Sequence, residues 1–330
     1  MKWSMSDFGR IIVVTRKTRL QEMLERFVTE AQARFYVEHM GLSFTAYEEA
    51  HRAYLGALAA LRAAIPPSPR HWVIDRSFLP TFSFDDRDLV ITLGTNGLVA
   101  NTAKYAAGRP ILGVNADPDR EESIVTAVEI GGFEPALANT LGGRLRTRRV
   151  TLAEARLNDG QRILAFNDLF IGHRGHVSAR YHIEHDGAAE DQCSSGIIVS
   201  TGAGSTGWMR SVVAGAFQVT KALRIESTRP DVPDPRFDWS ADNLLFAVRE
   251  PWPSQRTGAS VVFGRIAGRP LRLVSQMPEG GVIFSDGVAE DALAFTSGAV
   301  AEVGVAEDKA NLVFFDSERE ADGVPSSGGR

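Results

Sequence analysis

The run Leu89-Val90-Ile91-Thr92-Leu93 passes straight into Gly94-Thr95-Asn96-Gly97 and then into the alanine-bearing stretch 98–105, and this order constrains the fold more than any other part of the chain. A continuous β-branched and leucine run bounded by glycine suits a strand covered on both faces, and the Gly-poor run after it suits a helix. A phosphate can sit at such a turn. Glycine lets backbone come close to a ligand, while the free N–H groups and dipole of a helix N-terminus favour an anion. Taken alone, the turn serves equally well as a plain strand-to-helix connection.

The same alternation surrounds it. Residues 10–14 read as a strand, and Leu20, Leu24, Phe27 and Val28 follow at helical period. A second helix is expected over 46–64, ended by Pro66, Pro67 and Pro69. Residues 71–75 and 110–115 read as further strands, so a parallel sheet of the doubly wound type is expected. One more helix fits 123–130 or 135–140. Beyond Arg144 the pattern turns to strands joined by Asp159-Gly160, Asp186-Gly187 and Asp286-Gly287. The basic cluster Arg144, Arg146, Arg148 and Arg149 alternates with Leu145, Thr147 and Val150, as on the polar face of an edge strand. The fold class is α/β: a doubly wound parallel-sheet N-terminal domain (1–118) plus a β-rich, sandwich-like C-terminal domain (119–315), with 316–330 as a disordered tail.

The most informative string lies in the β-rich half. Residues 195–200 form a strand that opens into Thr201-Gly202-Ala203-Gly204-Ser205-Thr206-Gly207-Trp208, followed by a small-residue helix over 209–217. Backbone N–H groups and hydroxyls of such a loop can wrap a dinucleotide, and Trp208 offers a face to a base or ribose. The competing reading is a connector whose hydroxyls cap the next helix. Asn167-Asp168 interrupts an apolar run, where polar residues are costly unless satisfied or serving a ligand. A carboxylate beside an amide suits a ribose diol; it also suits an Asx turn. Asn115 and Asp117 close the fourth strand, where α/β sheets present ligand contacts and where turn chemistry also belongs.

Composition narrows the classes. A formal charge of −5 argues against a nucleic-acid partner, which needs a basic surface to release counterions. The single cysteine, Cys193, rules out an intramolecular disulfide and suits a reducing cytoplasm. No run of about 20 apolar residues occurs, so neither export nor a membrane span is expected. His173, His176, His182 and His185 fit alternate strand positions poorly and have no cysteine beside them, so no metal held by protein ligands alone is expected.

Five segments then fall into the order of one family. Gly94 to Leu98, Gly113-Val114-Asn115-Ala116-Asp117-Pro118, Phe166-Asn167-Asp168-Leu169-Phe170-Ile171-Gly172, Ser194-Ser195-Gly196 through Trp208, and Phe246-Ala247-Val248-Arg249-Glu250-Pro251 resemble the motifs of NAD kinases, most closely the mitochondrial-type branch. Phe284-Ser285-Asp286-Gly287 resembles that family's late Asp-Gly turn. The resemblance implies transfer of the ATP γ-phosphoryl, with Mg²⁺ on the triphosphate, to the 2′-hydroxyl of the adenosine ribose of NAD, in a cleft between the two domains of a homodimer. It implies that Gly94, Thr95, Gly97, Asn115 and Asp117 hold phosphates. Asn167, Asp168, Ser195, Thr201, Gly202, Gly204, Ser205, Thr206, Trp208 and Asp286 would hold NAD.

The family's motif aspartate, which takes the hydroxyl proton, falls on Asn96, and an amide does not accept that proton at neutral pH. Asp168 is the carboxylate that remains as a catalytic candidate. Two further classes stay open: a dinucleotide-binding protein that lost its chemistry, and a kinase of the superfamily acting on a sugar or lipid hydroxyl. Cys193 belongs to none of these sites, so Cys193→Ser is expected to leave NAD affinity and NADP formation at the level of the unchanged protein when the two are assayed side by side.

Overall fold

A computed structural model describes residues 8–106, 108–121, 123–224 and 231–315. The expected tail, 316–330, lies outside the described residues. The chain divides into two compact units, the first running to Arg148 and taking back the segment that begins at Asn311, the second being Arg149–Ala310.

The first unit begins with β1 (Arg10–Thr15), α1 (Arg19–Phe27), α2 (Glu30–His39), α3 (Phe44–Ala64) and β2 (Arg70–Asp75). It continues with β3 (Asp88–Leu93), α4 (Asn96–Tyr105), β4 (Pro110–Asn115), β5 (Val128–Glu129) and α5 (Phe133–Leu141). Its strands pair in parallel in the order β2-β1-β3-β4, with β5 and the returning Asn311 and Leu312 both on β4. β3 and β4 are buried at every residue, the burial that their unalternating apolar runs require. Ile11, Val13, Leu89 and Ile91 face Tyr54, Leu61, Phe133 and Leu137 of α3 and α5, while α4 packs against β3 and β4. Helices cover both faces, as a doubly wound sheet demands.

Local chemistry explains the boundaries. Thr18 and Gln21 form a reciprocal capping box that starts α1, and Ser43 caps α3 by accepting from Ala46. Val28 at φ +65° ends α1, and α2, unforeseen from the sequence, follows at once. Its apolar residues Phe35 and Tyr36 are exposed, which hides the helical period. The helix expected after the fourth strand is α5, whereas Val128–Glu129 is a short strand. Phe133 and Leu137 of α5 insert into the first core, so by packing the first unit extends beyond residue 118 to Arg148.

The second unit holds β6 (Arg146–Leu157), β7 (Arg162–Ala165), β8 (Asp168–His173), β9 (Ala179–His185), β10 (Ala188–Ser194) and β11 (Ile197–Ser200). After α6 (Trp208–Ala222) come β12 (Leu244–Val248), β13 (Phe263–Ile266), β14 (Leu271–Ser275), β15 (Gly281–Ser285), β16 (Val288–Ala294) and β17 (Val300–Phe314). A six-stranded antiparallel sheet runs β13-β12-β11-β8-β15-β16, and a second group runs β10-β9-β14-β17 with β6 and β7 beside it. Leu169, Ile171, Ile197, Val199 and Phe246 from the six-stranded sheet bury against Tyr181, Ile183, Leu273 and Val303 from the other group. The alternate residues Phe170, Ile198, Leu245 and Ala247 turn outward and are covered by Met209 and Val212 of α6. β6 pairs with both β7 and β17, so it is not the edge strand that its arginines suggest; Arg146, Arg148 and Arg149 occupy its exposed start. The Asp186-Gly187 and Asp286-Gly287 hairpins have positive φ at both residues, the demand that places Asp-Gly in two-residue turns.

Among the described residues no helix is long and apolar enough to cross a membrane. Because Phe133 is fully buried in the first core, Phe133→Ala is expected to destabilise that unit by about 3–5 kcal/mol in urea titration.

Candidate functional site

Two places collect the residues singled out above, one in each unit. In the first unit, Gly94 ends β3 at φ +155° and donates its N–H to Val114. A Cβ there would lie 3.3 Å from Nε of Arg16 and from Leu98, so the turn is closed by a cation on one side and an apolar side chain on the other. Thr95 stands at the N-cap of α4 without a side-chain cap bond, which leaves the first amides of the helix to another acceptor. Arg16 was invisible from motif reading. Its Nε is shielded from solvent and has no partner among the described residues, its Nη2 reaches Glu121 at 3.2 Å, and its guanidinium lies over the Tyr54 ring. A glycine turn, a helix start and an arginine suit a phosphate.

Asn96, Asn115 and Asp117 act on the loop that follows β4. The Asn96 side-chain oxygen accepts from the hydroxyl of Ser123 and from the backbone N–H groups of Ile124 and Val125, the last at 3.0 Å. Asn115 donates to the carbonyl of Glu121 at 2.7 Å and accepts from the N–H of Asp117, whose carboxylate holds Arg120. Gly113 belongs to the same arrangement, since a Cβ there would meet the backbone of Thr126 at 3.0 Å. Gly97 has room for a side chain.

In the second unit a cavity of about 340 Å³ opens on the outer face of the six-stranded sheet. Asn167, Asp168, Gly204, Thr206, Trp208 and Asp286 line it, together with Phe284. The wall is an aromatic stack. Phe170 lies parallel to Trp208, with centroids 5.9 Å apart, and stacks on Phe284 at 4.8 Å; the Arg249 guanidinium sits over Trp208. Phe170 lies flat on the sheet because its neighbours are glycines. A Cβ on Gly172 or on Gly196 would come within 2.7 Å of the Phe170 ring. The glycines of the Ile171-Gly172 and Ser195-Gly196 motifs are therefore the seat of an aromatic floor rather than contacts to a ligand.

Asp286 is turned toward the backbone. Its carboxylate accepts from the N–H groups of Phe166, Asn167 and Asp168 at 2.9, 2.7 and 3.3 Å, and its own N–H returns to the Asp168 carbonyl. That bracket fixes the strand break where Asn167 and Asp168 face the cavity. Asp168 opens β8, beside Ser200 of β11. Its Oδ1 is shielded from solvent and has no hydrogen-bond partner among the described residues. Burial raises its carboxyl to about 7; Ser200 works against that rise and the nearby Asp286 charge adds to it.

The hydroxyls of the second glycine loop divide. Thr201 donates to the Phe166 carbonyl at 2.6 Å and accepts from Gly204, while Ser205 donates to the Gly202 carbonyl at 2.7 Å; both are fully buried behind the cavity. Ser195 is exposed at the far end of β11 and does not line the cavity. The glycines of this loop permit close backbone approach: a Cβ on Gly202 would lie 2.2 Å from the Asp238 carbonyl, and one on Gly204 2.2 Å from that of Asn167. The four histidines go separate ways where their contacts are defined. His182 bonds Asp191, His185 meets Phe246 edge-on, and His173 accepts from the N–H of Gly175. Among the described residues no group of three or more His, Cys, Asp or Glu side chains is placed to hold a metal ion.

Comparison with known proteins ties both places to one fold. No protein-family model matches the chain. An NAD kinase of Heliobacterium modesticaldum is 33% identical over 135 residues, a match covering 38% of this chain and 46% of that protein, so the chain spans about half the length of the curated relative that it matches. An NAD kinase from Archaeoglobus fulgidus, crystallised in complex with ATP, superposes with a TM-score of 0.53 at 16% identity, covering 94% of each chain. Yeast NADH kinase complexed with NADH superposes with a TM-score of 0.54 at 13% identity, covering 93% of this chain and 83% of that one. The fold, a parallel-sheet unit followed by an antiparallel β-rich unit, is the one these kinases share.

The close approach at Gly204 gives a direct test. Gly204→Ala drives a methyl group into the Asn167 backbone, and it is expected to cost about 1–3 kcal/mol in urea unfolding while weakening any ligand that uses the cavity. Unchanged stability and unchanged ligand affinity would show that the approach is not needed.

Proposed function

We propose that this protein is an NAD kinase, most similar to the mitochondrial-type branch, that transfers the γ-phosphoryl of ATP to the 2′-hydroxyl of the adenosine ribose of NAD. The observation that carries this reading is the cavity of the second unit, where an aromatic stack ending in Trp208 stands beside the paired Asn167 and Asp168. Base-sized aromatic wall and diol-sized polar pair are what a nucleoside requires. The colinear motifs and the kinase fold supply the context.

In this reading each place has its work. Gly94, Thr95 and Gly97 at the start of α4, with Arg16 alongside, hold the triphosphate, which arrives as its magnesium complex. Asn115 and Asp117 hold the loop whose far side Asn96 also ties. Asn167 and Asp168 take ribose hydroxyls, and Trp208 takes a base. Thr206 is the loop hydroxyl facing the cavity, and Thr201, Gly202, Gly204 and Ser205 shape the loop behind it. Asp286 sets the position of Asn167 and Asp168. Phosphoryl transfer depends mainly on positioning and charge stabilisation, which these groups provide. The reading carries with it a cytoplasmic homodimer.

Asn96 favours one second reading, a dinucleotide-binding protein without turnover. The two part on a single assay: purified protein with NAD, ATP and MgCl₂, with NADP resolved by chromatography. NADP formation is expected, and Trp208→Ala is expected to weaken NAD binding by about tenfold, the loss of one aromatic stack. NAD binding without NADP supports the second reading. No NAD binding removes both.

A further inference from the structure

We infer that Asp168 is the group that takes the proton from the acceptor hydroxyl during phosphoryl transfer. This rests on the NAD kinase reading and deepens it, because the position where that family carries its proton acceptor is here an asparagine. The Asn96 side-chain oxygen is already engaged by Ser123, Ile124 and Val125, and its other terminus is an amide nitrogen with no basic lone pair. The proton needs another acceptor.

Three observations converge on Asp168. It lines the cavity that takes the nucleoside, so a ribose hydroxyl bound there lies within its reach. Among the described residues its Oδ1 has no hydrogen-bond partner and is shielded from solvent, which makes this carboxyl costly to charge and raises its affinity for a proton. Its backbone is fixed on both sides, by pairing with β11 and by the Asp286 bracket, so the oxygen is preorganised. Among the residues lining the cavity the only other ionisable group is Asp286, whose two oxygens are occupied by three backbone amides. From β11 the facing group is the Ser200 hydroxyl, and the Arg249 guanidinium lies over the ring of Trp208. The two carboxylates thus sit in environments that separate their roles: Asp286 is structural, and Asp168 titrates near neutrality.

The step balances. The ribose hydroxyl oxygen forms a bond to the γ-phosphorus of ATP, and the bond from that phosphorus to its bridging oxygen breaks. ADP leaves with the electron pair, and the hydroxyl proton passes to the Asp168 carboxylate. Asp168 must be ionised to accept, so activity falls as pH drops through its pKa.

The experiment measures kcat/KM for NAD from pH 5.5 to 9, together with the NAD dissociation constant by calorimetry in the absence of ATP. The dependence of kcat/KM reports groups of the free enzyme, and the unchanged protein is expected to rise about tenfold per pH unit to a plateau above about 7. Asp168→Asn is expected to lose about 10²-fold or more on the plateau, and with it the limb, while NAD affinity falls by far less than kcat/KM. Asp168→Glu, which keeps a carboxylate, is expected to retain the limb. A wild-type limb and plateau in Asp168→Asn overturn the assignment alone. So does a fall in affinity equal to the fall in kcat/KM, which makes Asp168 a binding group only. Should Asp168→Asn not fold, a missing limb in Asp168→Glu overturns it equally. Absence of NADP from the unchanged protein at every pH overturns the kinase reading, and this assignment with it.

Discussion

The carboxylate of Asp286 receives the backbone N–H groups of three consecutive residues, Phe166, Asn167 and Asp168, about 120 positions earlier in the chain. A strand break between β7 and β8 would otherwise leave those amides without partners in a largely buried place, and an unpaired buried amide costs as much as a lost hydrogen bond or more. One charged side chain therefore converts an interruption in a sheet into a rigid platform. The Asp-Gly turn that carries it needs positive φ at both residues, so turn chemistry and site chemistry act through the same dipeptide. Asn167 and Asp168 face the cavity because Asp286 holds the chain behind them.

A second dependence runs through Phe170. Its ring lies on the outer face of the six-stranded sheet only because Gly172 and Gly196 leave the space, and Trp208 and Phe284 stack on it in turn. A side chain at either glycine would lift the ring and tilt the stack. Gly202 and Gly204 are demanded likewise by neighbouring carbonyls, not by a positive φ. Glycine motifs that suggest direct contact with a phosphate thus divide into two kinds: those near Gly94, where the backbone turns beside an arginine, and those of the second unit, where glycine makes room for protein.

The strands of the first sheet were legible because burial on both faces produces unbroken apolar runs, and β4 runs over the six residues its sequence suggests, Pro110–Asn115. The Asp-Gly hairpins were legible for the same kind of reason, a local backbone demand met by few residues. What stayed hidden depends on partners far away in sequence. α2 exposes Phe35 and Tyr36, so its apolar residues do not mark one face. The inward hydroxyls of Thr201 and Ser205 look the same in sequence as the outward Thr206, because direction is set by the neighbours Phe166 and Gly202. Arg16 belongs to no motif; only the approach of β1 to β3 brings its Nε beside Gly94. Packing likewise assigns α5 to the first core, although the composition changes before it.

Asn96 has a structural duty that needs an oxygen and not a charge. Three donors converge on one oxygen of its side chain, and an aspartate would present that same oxygen at nearly the same place, so the loop after β4 does not distinguish the two. Those three donors would also hold an aspartate firmly in its charged form and weaken it as a base, since hydrogen bonds to a carboxylate lower its proton affinity. Asp168 is the opposite case. Burial raises its proton affinity, the Ser200 hydroxyl works against that rise, and the nearby Asp286 charge adds to it. The two side chains therefore part by environment: the Asn96 oxygen is saturated by donors, while Asp168 keeps a carboxyl whose proton affinity lies near neutral pH.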